Sequence, residues 1–144
     1  MTEIAFHFNT PDKVGYACRL LRKAVGAGST VVVTGDAELL ARLDVDLWTF
    51  SALDFVPHCR DGAAPAPVLA RSPVVLTEAP RSAPHHQVLV NLGDAVPQGY
   101  ETFERLIEVV TGDEADRQSA RERWKHYAAR GYEIKRHDRA QEQS

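Results

Sequence analysis

Thr30-Val31-Val32-Val33-Thr34 decides the fold class. A nearly unbroken β-branched run with no polar alternation is the pattern of a strand buried on both faces, as a parallel sheet covered by helices requires. Just before it, Gly26 and Gly28 close a helix. That helix carries Val14, Ala17, Cys18, Leu21, Ala24 and Val25 at helical spacing, with Lys13, Arg19, Arg22 and Lys23 on the other side. Its start is expected at Thr10 as cap with Pro11 as first helical residue. The apolar, β-prone stretch Ile4–Phe8 (IAFHF) precedes it as a first strand. Beyond the TVVVT run, Gly35-Asp36 turns the chain, and Asp36 is placed to cap a helix from Ala37 to about Leu43.

Further along, residues 60–72 hold Gly62, Pro65, Pro67 and four alanines and read as a mobile loop. Val74–Leu76 and Val88–Leu92 (VLVNL) read as strands, with turns at Pro80–Pro84 and Pro97–Gly99. Arg105–Val110 fits helix or strand; Gly112 and an immediate new helix start favour strand. The last helix is expected from about Asp113 to Arg130, with Asp113, Glu114 and Asp116 at its dipole-favoured end and Gly131 as left-handed terminator. Tyr132–Ile134 adds a short extended piece, and residues 139–144 read as a frayed, disordered tail. Alternating strands and helices of this kind predict one α/β domain over residues 1–138: a Rossmann-like fold, its sheet largely parallel with helices on both faces.

The chain has 144 residues, enough for one domain, and its 44% hydrophobic content allows a real core. A net charge of -3 and a pI near 6.1 argue against a general polyanion binder. Two cysteines, Cys18 and Cys59, do not form a disulfide scaffold and suit a reducing compartment. Met1–Ile4 lacks the basic start and apolar run of a signal peptide. No stretch approaches the roughly 20 apolar residues of a membrane span. A soluble, cytoplasmic protein without membrane contact is expected.

Catalytic and cofactor chemistry find little support. A phosphate-cradling loop after the first strand is glycine-rich, whereas Asn9-Thr10-Pro11-Asp12 has no glycine and one amide fewer. The turn after the TVVVT strand pairs one glycine with an acid, which repels phosphate. No GxxxxGK[ST], GxSxG, HExxH or EF-hand pattern occurs. Adjacent His85-His86 and the His58-Cys59 pair point to opposite faces of an extended segment, lack a second pair at zinc spacing, and read as solvent-exposed loop residues. No metal and no cofactor is expected. The competing class is a small nucleotide-dependent enzyme on a Rossmann-like scaffold, which a thermal-shift screen with nucleotides distinguishes.

The final helix carries the clearest site. Arg117, Arg121 and Lys125 form an i, i+4, i+8 row. Ala120, Trp124 and Tyr127 make the neighbouring apolar stripe, with Trp124 on the border. Cations beside an aromatic can hold an acidic peptide, through bidentate guanidinium–carboxylate pairs and an apolar notch; the same spacing also suits a solvated face. Like charges four apart disfavour the helix slightly, and Glu114 and Glu122 are placed to compensate. Direct single-stranded DNA binding through the row is disfavoured by the net charge and by the lack of a stacking platform beyond Trp124.

Asp46-Leu47-Trp48 followed by Phe55-Val56-Pro57-His58, together with Ala120-Arg121-Glu122-Arg123-Trp124-Lys125-x-Tyr127-x-x-x-Gly131, resembles the chi subunit of bacterial DNA polymerase III. The likeness spans about residues 3–137 and includes VLVNL and FERLIEVV in order and spacing. It implies a Rossmann-like fold, no catalytic activity, and a place in DNA replication: attachment to the clamp loader through the psi subunit, and binding of the acidic, phenylalanine-ended tail of single-stranded DNA-binding protein. The family's tail-binding positions match Arg117, Arg121, Trp124 and Lys125, with Val110 and Gly131 nearby. The resemblance makes Arg121 the partner of the terminal carboxylate, with Arg117 and Lys125 attracting acidic residues. Trp124 stands where tyrosine is usual, which preserves ring packing and loses a hydroxyl. The psi-facing positions match Trp48 and Phe55, with Pro57 and His58 beside them. On residue type alone Trp48 and Phe55 fit core and interface equally; the resemblance favours interface.

Overall fold

The computed structural model describes residues 2–49, 57–60, 67 and 71–139. Its strands are β1 (Glu3–Thr10), β2 (Val31–Thr34), β3 (His58–Arg60), β4 (Val74–Leu76), β5 (Val88–Asn91), β6 (Arg105–Thr111) and β7 (Ile134–Asp138); its helices among the described residues are α1 (Lys13–Gly26), α2 (Ala37–Thr49) and α3 (Glu114–Ala129). The strands form one seven-stranded sheet in the order β3-β4-β2-β5-β6-β1-β7. Every pairing is parallel. The Rossmann-like α/β expectation holds, and β2, the TVVVT strand, is buried throughout between β4 and β5.

Each face of the sheet has its own core. On one, Val14, Ala17, Cys18 and Leu21 of α1 and Leu40, Leu43 and Leu47 of α2 pack on Val31, Val33, Val74, Val90 and Val109. On the other, Ala120 and Tyr127 of α3, with Tyr100 and Phe103, pack on Ile4, Phe6, Leu89, Leu106 and Val110. The alternation along β6 shows the division: Ile107 and Val109 face the first core, Leu106 and Val110 the second. Because β7 pairs with the outer side of β1, the β6–α3–β7 crossover carries α3 across the β1 aromatics. That crossover builds the site described below.

Several boundaries differ from those expected. The cap of α1 is Asp12, whose carboxylate accepts the Gly15 N–H at 3.0 Å. Pro11 therefore precedes the helix. Thr10 stays in β1, registered with Thr111, and donates its hydroxyl to the Val110 carbonyl at 3.0 Å; a β-branched residue with a ladder partner gains more there than as a cap. Helix α2 continues six residues past Leu43, to Thr49. No glycine or proline interrupts Asp44–Trp48, and Leu40, Leu43 and Leu47 extend one buried stripe. Strand β3 was not foreseen, since three residues are too short to show a period. His85 and His86 are half-buried rather than exposed: His85 Nε2 lies 2.9 Å from the Ser72 carbonyl, and His86 stacks on Phe103 with ring centroids 4.4 Å apart. Gly28 and Gly131, at φ 84° and 83°, adopt the left-handed turn after α1 and α3.

Arg139, at the start of the expected tail, lies with its guanidinium 5.5 Å from the Tyr16 ring centroid; residues 140–144 fall outside the described residues, as does most of the expected 60–72 loop. No helix among the described residues is long and apolar enough to cross a membrane.

Candidate functional site

Period-two alternation along β1 puts Ile4, Phe6 and Phe8 on the α3 face of the sheet. Helix α3 does not cover them fully. Between its middle turns and the β1–β7 edge lies an open pocket of about 460 Å³, a size suited to a small ligand or a side chain. Phe6, Phe8, Val110, Ala120 and Trp124 form its apolar lining, and Arg117, Arg121, Lys125 and Arg136 its cationic rim. Trp124 is half-buried and leans on Phe6, ring centroids 5.0 Å apart at 52°.

The cations expected along α3 thus do converge. Arg117, Arg121 and Lys125 remain about half to three-quarters exposed. Each has a carboxylate nearby: Glu114 at 3.8 Å from Arg117 and 3.5 Å from Arg121, and Glu122 at 3.6 Å from Lys125. Exposed pairs at such distances contribute at most about 1 kcal/mol each and are screened by salt, so an incoming anion can replace them. Gly131 lies beyond the pocket and ends the helix.

A buried polar network sets the rotation of α3. Arg123 and Glu108 are 2% and 0% exposed, with Nε 3.0 Å from Oε1. The Tyr127 hydroxyl donates to Glu108 Oε2 at 2.6 Å, and Asn91 Nδ2 donates to Oε1 at 2.9 Å. Burial pushes the Glu108 carboxyl up, and Arg123 with these donors pulls it back. Burial and the adjacent Glu108 also push the Tyr127 hydroxyl up, so it stays a donor. Arg123 continues to the Ser119 hydroxyl at 2.7 Å, which itself donates to the Asp94 carbonyl at 2.7 Å. At the helix start, Asp116 accepts from the Thr111 N–H at 2.8 Å and pairs with Lys13 at 2.9 Å. Burial raises its pKa, but these partners outweigh that and hold the carboxyl below its usual range.

Phe6, Phe8 and Arg136 were not foreseen as site residues. Their signal was present, since Phe6 and Phe8 share one face and Arg136 lies two residues after Ile134 on the same strand. What joined them was the β1–β7 register, Phe6 beside Arg136, which local spacing does not reveal. The Arg136 guanidinium lies 5.0 Å from the Phe8 centroid and 5.9 Å from that of Trp124.

The second expected surface is partly described. Trp48 and Val45, on the outer side of α2, are 61% and 59% exposed. Pro57 is exposed. The His58 side chain is fully buried behind Trp48, with ring centroids 5.4 Å apart and Nε2 2.9 Å from Asp44 Oδ1. His58 therefore supports Trp48 rather than standing beside it at the surface. Phe55 lies outside the described residues.

A larger, polar cleft sits at the ends of β1 and β6, lined by residues 9–13 and 111–113. Asp12 and Asp113 already cap the two helices that start there, and Lys13 is held by Asp116 and the Leu92 carbonyl. The amides that would face a phosphate are occupied by carboxylates. Among the described residues no three His, Cys, Asp or Glu side chains are grouped to hold a metal.

Comparison with known proteins matches residues 1–135 to the family model described as DNA polymerase III chi subunit, HolC. The Pseudomonas aeruginosa protein named DNA polymerase III subunit chi is 33% identical over 142 residues, covering 95% of this chain and 96% of the relative. The protein of the same name from Haemophilus influenzae is 28% identical over 122 residues, 82% and 81% of the two chains. That from Escherichia coli is 29% identical over 121 residues, 81% and 79% of the two.

Proposed function

Because the chain belongs to the chi-subunit family of DNA polymerase III, we propose that it is a non-catalytic, cytoplasmic connector in replication with two protein-binding surfaces. At the α3 pocket it takes the acidic C-terminal tail of single-stranded DNA-binding protein; at the outer face of α2 it takes the psi subunit of the clamp loader.

One observation carries the first assignment: an aromatic floor and a cationic rim occur together in one open pocket. A terminal aromatic side chain of the tail buries against Phe6, Phe8 and Trp124. Its carboxylates displace Glu114 and Glu122 from Arg117, Arg121 and Lys125. Val110 completes the floor, and Gly131 ends the helix so that the chain can return as β7. Since those cations are exposed and the floor is small, micromolar-range affinity that weakens with salt is expected.

The second surface rests on Trp48, a large exposed aromatic held edge-on by buried His58. Because α2 and α3 pack on opposite faces of the sheet, the two partners bind independently.

Calorimetry with a synthetic acidic peptide ending in Pro-Phe tests both assignments. Arg121→Ala lowers peptide affinity about ten-fold or more and keeps psi in pull-downs. Trp48→Ala does the reverse. Unchanged peptide binding by Arg121→Ala refutes the pocket assignment, and loss of both partners in either variant refutes two separate surfaces.

A further inference from the structure

We propose that the α1-side face of the β1–β7 edge is a contact site for the phosphate backbone of single-stranded DNA, with Arg19, Lys135 and Arg139 as its cations. The apolar core under α1 and α2 is built on β2, β4, β5 and β6. Beyond β6 the same face continues over β1 and β7 in polar residues. Parallel pairing places Lys135 beside Ala5 and His137 beside His7. Strand alternation turns Lys135 and His137 to this face, while Arg136 between them lines the pocket on the other. Arg139 lies back over the face, its guanidinium 5.5 Å from the Tyr16 ring centroid and Nη2 3.2 Å from His7 Nδ1. Arg19 follows Tyr16 by about one turn of α1 and is exposed.

The net charge of -3 does not describe this face. Asp12, Asp36 and Asp113 are spent on helix starts at the C-terminal ends of β1, β2 and β6. Here, burial and then the positive charges of Arg139, His137 and Arg105 hold His7 neutral, with its pKa lowered to about 3. Glu3 shares the face and lies 3.8 Å from Arg105, so Arg105 is partly neutralised and is not counted in the site. Charges on an edge strand also guard against strand pairing, but that needs no cation from α1. Side chains at every second strand position are about 6–7 Å apart, close to the separation of successive phosphates in an extended single strand. An acidic peptide needs an apolar notch to fix its register, and the strand residue beside Lys135 is the small Ala5. A sugar–phosphate backbone needs only cations at a regular pitch, and such contacts are indifferent to base sequence. Strand β7 carries this face and the peptide pocket back to back. On the function proposed above, the pocket's occupant is the tail of a protein that itself holds single-stranded DNA. The strand is then delivered to the same edge, and tethering makes a weak contact count. The contact itself does not depend on that reading.

The experiment titrates the full-length protein into a labelled oligothymidylate at low salt and reads fluorescence anisotropy. The wild type should bind, with log K falling against log salt at a slope of about -2, as expected for three phosphates neutralised. The double variant Arg19→Gln/Lys135→Gln should lose about ten-fold in affinity and bring the slope to about -0.7. Both residues are exposed, so this variant keeps its fold even where Arg139→Gln, which should act in the same direction, does not. The pocket variant Arg117→Gln/Arg121→Gln/Lys125→Gln should bind the oligothymidylate within about two-fold of the wild type. No binding by the wild type at low salt overturns the site, and so does wild-type binding by Arg19→Gln/Lys135→Gln. Loss confined to the pocket variant overturns it as well. Polyglutamate that displaces the oligothymidylate at equal charge concentration would reveal a general anion surface and overturn the assignment to nucleic acid. Failure of the acidic peptide to bind in calorimetry strikes the pocket reading alone, because the oligothymidylate titration contains no peptide.

Discussion

Helices α1 and α2 meet the sheet chiefly through aliphatic side chains, Val14, Leu21, Leu40, Leu43 and Leu47 among them, whereas α3 meets the opposite face through Ala120, Arg123 and Tyr127. Aliphatic burial is strong but non-directional. The Glu108–Arg123–Tyr127 contacts are hydrogen bonds at 2.6–3.0 Å and fix an angle as well as a distance. The contrast matches what each helix has to present. A helix that only closes a core tolerates small rotations. A rotation of α3 would carry Arg117 and Arg121 off the rim and Trp124 off Phe6. The buried polar set thus supplies orientation in addition to stability.

Breaking the polar side gives the largest effect. Glu108→Ala leaves Arg123 buried without its counter-charge and should lower unfolding free energy by about 3–5 kcal/mol. Leu43→Ala, on the aliphatic side, should lower it by about 2–5 kcal/mol. Denaturant titration reads both. Peptide affinity separates them: Leu43→Ala, measured where it is folded, binds the acidic peptide as the wild type does. The double variant Glu108→Leu/Arg123→Met, which removes the charges together, should regain part of the stability and still bind the peptide several-fold more weakly. Wild-type affinity in that double variant would show that packing alone orients α3.

The aliphatic side has one polar inclusion of its own, which makes the next test. His7, on the α1 side of β1, is buried against Tyr16, with Nδ1 bonded to the Tyr16 hydroxyl and Arg139 Nη2 3.2 Å away. His137 stacks edge-on at 4.8 Å. Burial, then the charges of Arg139, His137 and Arg105, lower its pKa from 6.5 to about 3. Between those values the unfolded chain binds more protons than the folded one, so stability is complete above the unfolded pKa and is lost as pH falls through the window. From pH 7 to pH 5 the loss through His7 is up to about 2 kcal/mol. Urea midpoints of His7→Gln, which keeps an acceptor for Tyr16, should show a flatter acid limb. Equal acid slopes in the two proteins would show that His7 takes up its proton while folded.

How much of this the sequence disclosed follows from the same division. Continuous or periodic patterns were legible: the β-branched TVVVT, the Arg117–Arg121–Lys125 row, the stripe of Ala120, Trp124 and Tyr127, and Gly131 as terminator. Each is decided within one element. The pocket's strand wall was not legible, because Phe6, Phe8 and Arg136 meet only through a pairing of the first and last strands. Glu108 and Arg123 were hidden for a related reason. Inside FERLIEVV and ARERWK they resemble surface charges, and only the α3–β6 contact makes them partners. The expected end of α2 near Leu43 fell short of Thr49, although the Leu40–Leu43–Leu47 stripe continues past Asp44 and Asp46.

The smallest expected effect is the most specific to the outer surface of α3. Glu114 lies in the first turn and faces both Arg117 and Arg121 at 3.8 and 3.5 Å. Glu114→Gln removes a favourable charge at the helix N-terminus, worth about 0.3–1 kcal/mol of stability, and exposed pairs of little net value. The same change frees two rim cations. Acidic-peptide affinity should therefore rise about two- to three-fold while thermal stability falls slightly, and the gain should shrink in high salt as screening removes the competition. A pocket whose occupant is held only by the aromatic floor would show no gain. An unchanged or lower affinity in Glu114→Gln at low salt would mean that Arg117 and Arg121 do not meet the peptide's carboxylates, however well α3 is oriented.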